Sequence, residues 1–549
     1  MNYLEKYHDW MTWADNHTKK ELSSLSDEKE IEDRFYKDLE FGTAGLRGIM
    51  GAGSNRMNRY TVAKASKGFS DYLKALYPSD LDRGVVIAYD SRLHSDEFAR
   101  EAADVLTASG IPVKLFNELE PIPVLSFSIR HFHALGGIVI TASHNPAEYN
   151  GYKVYGADGG QLVPDKADIL TRYVERITDL SSIDDRGNEK LLTLLGHLTV
   201  QCFIDTIFKE SYYKGNPSDL SIVYTPLHGS GNKPVRYILA KAGFVDVHIV
   251  PEQEKPDGTF PTVAAPNPEN EDALAMGIKL AGKVNADIVI GTDPDSDRIG
   301  AAVRSGDKYV LITGNQMGAL LVYFILSTRK DQLTPTSTLV KTVVTGELGA
   351  DIARSFNVQV VETLTGFKYI GEKISQWADD INHDFVMGYE ESYGYLVGTH
   401  AQDKDAVVSA MLICEMAAYF KKQGKTLVDV LGELYKQFGY YYDRSVSYTL
   451  KGKTGQEKIQ SIMKSLRKLN AEKLIPDIAE TLDFEKGIDN LPKENVMKYK
   501  LHSGGWMAVR PSGTEPKIKF YYSLKGNNEE EAVKLFHTYK TVWEKEFSL

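Results

Sequence analysis

Short apolar runs that end in Gly, Asp, Ser or Thr recur along the chain: Val85–Asp90, Ile138–Thr141, Ile222–Thr225, Ile288–Gly291 and Val358–Val361. Between them lie segments with apolar residues three and four apart, such as 95–109, 233–242 and 315–326. Continuous apolar strands alternating with amphipathic helices predict mostly parallel sheets covered by helices on both faces. The fold class is therefore α/β. In such folds ligands gather beyond the carboxyl ends of the strands.

Breaks in this pattern suggest four parts, 1–205, 206–308, 309–435 and 436–549. The first break follows the polar stretch Asp179–Lys190 and falls within a segment, 191–213, read as helical. The second is placed at Ser305-Gly306-Asp307 and the third after a helix over 405–422. The last part, with a helix expected over 453–474 and a Gly-containing loop near Ser512, reads as a smaller α+β unit. A strand followed by a polar loop recurs in the first three parts, which suggests an old structural repeat.

Bulk properties narrow the function. The chain has 549 residues, 64 basic against 75 acidic, a net charge of −11, and no Lys/Arg-rich run. Nucleic-acid binding is not expected, and an anionic substrate would have to be met by local positive charge. Cys202 and Cys414 form no metal-type spacing and are expected to be reduced and buried. No apolar run approaches the ~18 residues of a membrane span. The amino terminus lacks a signal-peptide pattern, so a cytoplasmic protein without a membrane partner is expected.

The densest candidate chemistry is Gly-Thr-Asp-Pro-Asp-Ser-Asp-Arg, residues 291–298, where Asp293, Asp295 and Asp297 follow a buried strand. Carboxylates this close repel unless a cation neutralises them, and an oxygen-only donor set suits Mg²⁺ or Mn²⁺ rather than zinc. A calcium loop of the EF-hand type is excluded. Its sixth position needs Gly and its twelfth Glu, whereas this chain has Arg298 and Arg304 there.

Three further loops carry polar groups at strand ends. Thr141-Ala142-Ser143-His144-Asn145-Pro146 presents Ser143, which beside a divalent ion can accept and release a phosphoryl group. Arg510-Pro511-Ser512-Gly513-Thr514 offers a fork-shaped guanidinium with hydroxyl donors, suited to phosphate. Gly388-Tyr389-Glu390-Glu391-Ser392-Tyr393-Gly394 offers a carboxylate and a hydroxyl for sugar hydroxyls. Glu390 and Ser392 are read there as lying on one side of an extended chain. Phe41 to Gly48 is Gly-rich around Arg47.

In this order, over essentially the whole chain, these loops resemble the α-D-phosphohexomutase family. The resemblance implies three related mixed-sheet α/β domains plus a smaller C-terminal α+β domain around a central cleft. It implies Ser143 as phosphorylated nucleophile and as a ligand, with Asp293, Asp295 and Asp297, of one Mg²⁺ per chain. Glu390, Ser392, Thr365, Gly366, Lys368 and Arg298 would meet the substrate. Arg510, Ser512, Gly513 and Thr514 would hold its non-reacting phosphate. Arg47, His144, Lys153, His400 and Lys404 would serve the reaction, the last four including the general acid and base. Thr-Ala-Gly-Leu-Arg-Gly, Asp257-Gly258-Thr259-Phe260-Pro261 and Thr365-Gly366-Phe367-Lys368 are similar to the branch that holds bacterial α-phosphoglucomutases and animal phosphopentomutases.

The activity so implied is interconversion of α-D-glucose 1-phosphate and glucose 6-phosphate through glucose 1,6-bisphosphate, which also primes the enzyme. Pentose or mannose phosphates are the alternative substrates, and a metal-dependent phosphatase or a non-catalytic sugar-phosphate sensor the remoter readings. The expected partners are small sugar phosphates alone, on a monomer or weak dimer.

Overall fold

The computed structural model describes the chain apart from residues 1, 43, 44, 218, 379, 451, 489, 490 and 513–515, and apart from the side chains of 452 and 453. Gly513 and Thr514 therefore lie outside the described residues. The chain forms two compact units. One comprises 1–312, 367–380 and 394–419; the other comprises 313–366, 381–393 and 420–549.

The first unit contains two sheets. Strands β1 (Leu46–Ile49), β2 (Val85–Tyr89), β3 (Val113–Phe116), β4 (Gly136–Ile140), β5 (Tyr149–Gly156) and β6 (Leu192–Leu195) pair in the order β1-β5-β4-β2-β3-β6. Parallel pairing joins β4, β2, β3 and β6, while β5 and β1 run antiparallel. All of β4 is buried, as expected for a central strand covered on both faces. The helix Ser95–Ala108 buries Phe98, Ala99, Ala102, Ala103, Val105 and Leu106, a stripe at helical spacing, and carries Asp96 and Glu97 in its first turn against the positive end of its dipole. Burial of each large apolar side chain in this core contributes about 1.5–3 kcal/mol.

The second sheet has the order β11-β10-β9-β7-β8, from β7 (Ser221–Thr225), β8 (Asp246–Ile249), β9 (Ile288–Thr292), β10 (Ile299–Ser305) and β11 (Lys308–Ile312). Its strands β7, β8 and β9 are parallel, and β10 and β11 form an antiparallel hairpin.

The sheets are mixed, as the family resemblance implied, with antiparallel strands at one edge of otherwise parallel sheets. Three expectations are corrected. Leu192–Leu195, read as helix, is an edge strand beside β3, because pairing overrides the helix preference of its leucines. Ser305-Gly306-Asp307, read as a break, turns the β10–β11 hairpin, with Gly306 at φ 62°. Cys202 is exposed rather than buried; both cysteines are free.

In the second unit β12 (Ser337–Thr342) runs parallel to β13 (Gln359–Thr363) and to β14 (Asp384–Glu390). The helix Gly314–Thr328 begins with a capping box of Thr313 and Gln316. A C-terminal antiparallel sheet follows, ordered Tyr440–Thr449, Lys517–Gly526, Gly505–Pro511, Met497–Leu501, Ile478–Asp483. The helices Gly452–Lys468 and Glu529–Phe547 belong to this C-terminal part. The helix expected over 453–474 stops at Lys468, and a short helix, Ala471–Leu474, follows. No helix among the described residues is long and apolar enough to cross a membrane.

Candidate active site

Two strand-end loops meet in the first unit. Beyond β4, Ser143 takes a left-handed backbone conformation, φ 53°, and its N–H donates to Thr141 Oγ1 at 2.8 Å. Its hydroxyl donates to Asp293 Oδ2 at 3.0 Å and also lies 3.0 Å from His144 Nδ1. Beyond β9, Asp293, Asp295 and Asp297 are all buried. The loop that carries them is pinned by its own backbone. Ser296 N–H donates to Asp293 O at 3.0 Å, Arg298 N–H to Asp293 Oδ1 at 3.1 Å, and Ser230 N–H to Pro294 O at 2.8 Å.

Cations compensate part of this charge. Lys153, on β5, places Nζ 3.0 Å from Asp295 Oδ2, and Lys404 places Nζ 3.0 Å from Asp297 Oδ2. Arg298 pairs with Glu269 at 2.5 Å and lies 3.7 Å from Asp297 Oδ1. Burial, with Asp295 and Asp297 adding to it, pushes Asp293 well above the usual carboxylate range. Burial acts in the same sense on Asp297, yet Lys404, Lys153 and Arg298 together hold it below that range. His144 is pushed well below the ordinary imidazole value by burial and then by Arg298 and Arg47.

One carboxylate oxygen from each of the three aspartates lies within 4.8 Å of the others. Asp295 Oδ1 and Asp297 Oδ1 are buried with no hydrogen-bond partner among the described residues. Three clustered carboxylates, two of them with an orphaned oxygen, and an adjacent serine hydroxyl fit a hard divalent cation, so the trio can hold a metal ion.

The remaining expected residues fall into three groups. Arg47, on β1, donates to Asn145 Oδ1 at 3.3 Å and so joins the serine loop. No polar contact joins His400 to either loop among the described residues; its Nε2 lies 2.7 Å from Asp405 Oδ2 and its ring packs against Phe203. Asp405 in turn caps the following helix through Val407 and Val408 N–H, so His400 is built into a helix start. Lys368, on the helix Phe367–Gln376, holds its ammonium 5.3 Å from the Tyr369 ring centre.

In the second unit Glu390 is buried, and its Oε1 accepts from Gly366 N–H at 2.9 Å, which brings the Thr365–Gly366 turn and the end of β14 together. Thr365 Oγ1 is buried there without a hydrogen-bond partner among the described residues. Glu391 accepts from Thr345 Oγ1 at 3.2 Å. The extended alternation expected from Glu390 to Ser392 is not formed, since β14 ends at Glu390 and Ser392 lies in a turn with Tyr393 at φ 64°. Arg510 donates from Nε to Glu494 Oε1 at 2.9 Å, and Ser512 N–H donates to Lys517 O at 2.8 Å.

Sequence reasoning passed over Asp90, Arg92 and Glu494. Asp90 accepts from Thr141 Oγ1 at 2.6 Å, and Arg92 donates to Ser143 O at 2.6 Å. The first two could have been found: Asp90-Ser91-Arg92 follows the apolar run of β2, the same strand-end signal that marks Ser143 and Asp293. Glu494 has no such local sign.

The arrangement is a serine hydroxyl held against an oxygen-only cation cradle, at the carboxyl ends of strands in two adjacent α/β sheets. Family profiles agree with it in order. Phosphoglucomutase/phosphomannomutase, alpha/beta/alpha domain I, matches residues 38–181, domain II residues 201–306 and domain III residues 313–438. A phosphoglucomutase of Staphylococcus saprophyticus is 35% identical over 548 residues, covering 96% of this chain and 98% of its own. A phosphoglucomutase of Staphylococcus aureus is 38% identical over 535 residues, covering 94% and 95%. The open form of pp63/parafusin from Paramecium, a phosphoglucomutase, superposes with a TM-score of 0.71 at 17% identity, covering 93% of this chain and 96% of that one, a likeness of fold.

The chain belongs to the phosphoglucomutase/phosphomannomutase family of α-D-phosphohexomutases. Its class is three α/β/α domains with mixed sheets followed by a sheet-rich C-terminal part.

Proposed function

We propose that this protein is a phosphoglucomutase, interconverting α-D-glucose 1-phosphate and glucose 6-phosphate by way of a phosphoserine at Ser143 and glucose 1,6-bisphosphate. The observation that carries the reading is the 3.0 Å contact of Ser143 Oγ with Asp293 inside the aspartate trio. Relatives named phosphoglucomutase over nearly the whole chain support glucose as the sugar.

In the forward step the Oγ–P bond of phospho-Ser143 breaks as a bond forms from a sugar hydroxyl oxygen to the same phosphorus. The sugar hydroxyl loses a proton and Oγ gains one. Burial, then Arg298 and Arg47, push the His144 imidazole well below its ordinary value, which favours the basic form, and with Nδ1 3.0 Å from Oγ it is placed to take the hydroxyl's proton and pass it to Oγ. Lys153 and Lys404, held by Asp295 and Asp297, supply positive charge for the transferring oxygens without moving. Asp293, Asp295 and Asp297, with the serine, would hold Mg²⁺, which when bound draws negative charge from a phosphoryl group. The returning step runs the same chemistry with the other phosphate of the bisphosphate.

Glu390 and Ser392, with Thr365, Gly366, Lys368 and Arg298, are assigned to the sugar, and Arg510, Ser512, Gly513 and Thr514 to the phosphate that does not react. Four domains remain our division of the chain, with the second boundary moved past the β10–β11 hairpin to Ile312.

A coupled assay tests the reading. Glucose 1-phosphate should turn over much faster than mannose, ribose or deoxyribose 1-phosphate, and a trace of glucose 1,6-bisphosphate should stimulate it. Release of inorganic phosphate at the rate of product formation would make the protein a phosphatase instead.

A further inference from the structure

The Asp257-Gly258-Thr259-Phe260-Pro261 motif has no part in the chemistry above, yet it touches the serine loop through one side chain, Arg92. The Arg92 side chain is buried. Its Nη1 donates to Pro146 O and Tyr149 O, each at 2.9 Å, and its Nη2 donates to Ser143 O at 2.6 Å and to Asn145 O. Four carbonyls of the segment 143–149 thus converge on one guanidinium, so the loop is wrapped around a planar template.

Both sides of that template are fixed. Asp90 lies 3.5 Å from Arg92 Nε, and its Oδ1 accepts from Arg92 N–H at 2.9 Å and from Ser95 Oγ at 2.8 Å. The guanidinium carbon sits 5.0 Å from the Phe260 ring centre, a cation–π distance. The turn that presents this ring is tight: Phe260 has φ 46°, and Asp257 Oδ1 accepts from Thr259 N–H at 2.9 Å and Thr259 Oγ1 at 2.7 Å. Gly258 lies directly against the Arg92 main chain. A Cβ there would stand 2.3 Å from Leu93 N, 2.7 Å from Arg92 C and 2.8 Å from Ser91 O, all backbone atoms that cannot swing away.

We infer that Arg92, seated on the Asp257–Pro261 turn, is the positioning residue that sets the left-handed conformation of Ser143 and so aims Oγ for phosphoryl transfer. A left-handed serine is unfavourable by itself, and a carbonyl held at 2.6 Å by a charged donor stabilises it. Lysine cannot replace this group, because an ammonium has three donors on one atom and no plane from which to reach four carbonyls. The inference rests on the proposed role of Ser143, and it also makes a claim about the loop that holds whatever the reaction is.

The test uses Arg92→Lys and Phe260→Leu in the full-length protein, with two readouts. Hydrogen exchange should show amides of 143–150 exchanging at least about tenfold faster in Arg92→Lys, and in Phe260→Leu to a smaller degree, with the cores of both sheets unchanged. Turnover should fall about 100-fold in Arg92→Lys, the scale of an ångström of misplacement, with KM altered less than about threefold. Guanidinium ion added at millimolar concentration to Arg92→Ala should restore part of the turnover saturably, while leaving Ser143→Ala inert. Wild-type exchange over 143–150 in a folded Arg92→Lys protein overturns the inference, as does turnover within about threefold of wild type. Should Arg92→Lys fail to fold, Phe260→Leu with wild-type exchange and wild-type kcat overturns it equally. Failure of the mutase reading would show separately, as wild-type protein with neither turnover nor phosphate on Ser143.

Discussion

Ser143 Oγ and Asp293 Oδ2 stand 3.0 Å apart although 150 residues separate them in the chain. Each lies just past the carboxyl end of a buried strand, and the two sheets bring the strand ends together. Lys153 and Lys404 are paired with Asp295 and Asp297, so Asp293 is the carboxylate turned to the serine. Burial, then the two neighbouring aspartates, push its carboxyl well above the usual range, so a cation held by the trio would favour its charged form.

Replacing Ser143 with alanine should remove mutase turnover by several orders of magnitude and leave the fold intact, because it deletes the hydroxyl proposed to carry the phosphoryl group. Intact-mass measurement should find one phosphate on part of the wild-type protein and none on the variant. Substantial activity in Ser143→Ala would remove the phosphoserine from the mechanism.

Asp295→Asn should lower both Mg²⁺ affinity and, in chelator, thermal stability. Relief of repulsion among three aspartates alone would predict a gain, but Asp295 Oδ2 accepts from Lys153 and Thr141, and Lys153 is buried. Leaving that buried ammonium without its carboxylate costs about 3 kcal/mol, which sets the expected sign. Melting curves in chelator and in Mg²⁺ separate the two effects. A variant more stable than wild type in chelator would mean that repulsion dominates.

What could be read from sequence was local. A buried run followed by a polar loop put Ser143 and Asp293 just past strand ends, where the structure has them, since strand ends and their first loop residues are decided within a few positions. Leu192–Leu195 misled because leucine favours a helix until an edge strand offers pairing, which only the fold reveals. The Ser305-Gly306-Asp307 turn looked like a linker because hairpins and linkers use the same residues. Glu494 was missed for another reason: its partner Arg510 lies 16 residues away, and no spacing rule anticipates that contact. Arg92 carried the strand-end signal, but the carbonyls it binds, 51 to 57 residues on, are revealed only by the fold.

Stability should also carry a pH signature from Asp443, whose carboxyl is pushed up to about 6 by burial, opposed by a hydrogen bond from Ser523 and by Lys341 and Arg444, with Glu347 adding to it. Because the folded value exceeds the unfolded one near 4, the folded state holds the proton more tightly. This contribution is fully present below about pH 4 and is lost as pH rises through about 6. Asp443→Asn should therefore be more stable than wild type at neutral pH by about 3 kcal/mol, with the difference closing on acidification toward pH 4. Denaturation of both proteins across that range is the check, and a difference that does not change with pH would assign the effect to packing.

Arg510→Lys should act as a severe substitution although the charge is kept. The guanidinium is engaged at Nε by Glu494 Oε1 at 2.9 Å and also by Tyr521, which together fix its plane, and on the proposed reading its remaining N–H groups would meet the phosphate. An ammonium on a flexible stem offers a point charge and loses that orientation, and Glu494 would then compete with the substrate for it. The main effect expected is a rise in KM of about 10- to 100-fold, the range for losing one of two charge-assisted bonds. Because a weakened grip also lets the bisphosphate escape between half-reactions, glucose 1,6-bisphosphate should accumulate in solution during turnover of labelled glucose 1-phosphate, and added bisphosphate should restore part of the rate. Glu494→Gln should show the same leakage in milder form, since the guanidinium stays but its plane is no longer locked. If KM and leakage in Arg510→Lys both match wild type, this loop does not hold the non-reacting phosphate, and that role must be sought on another loop.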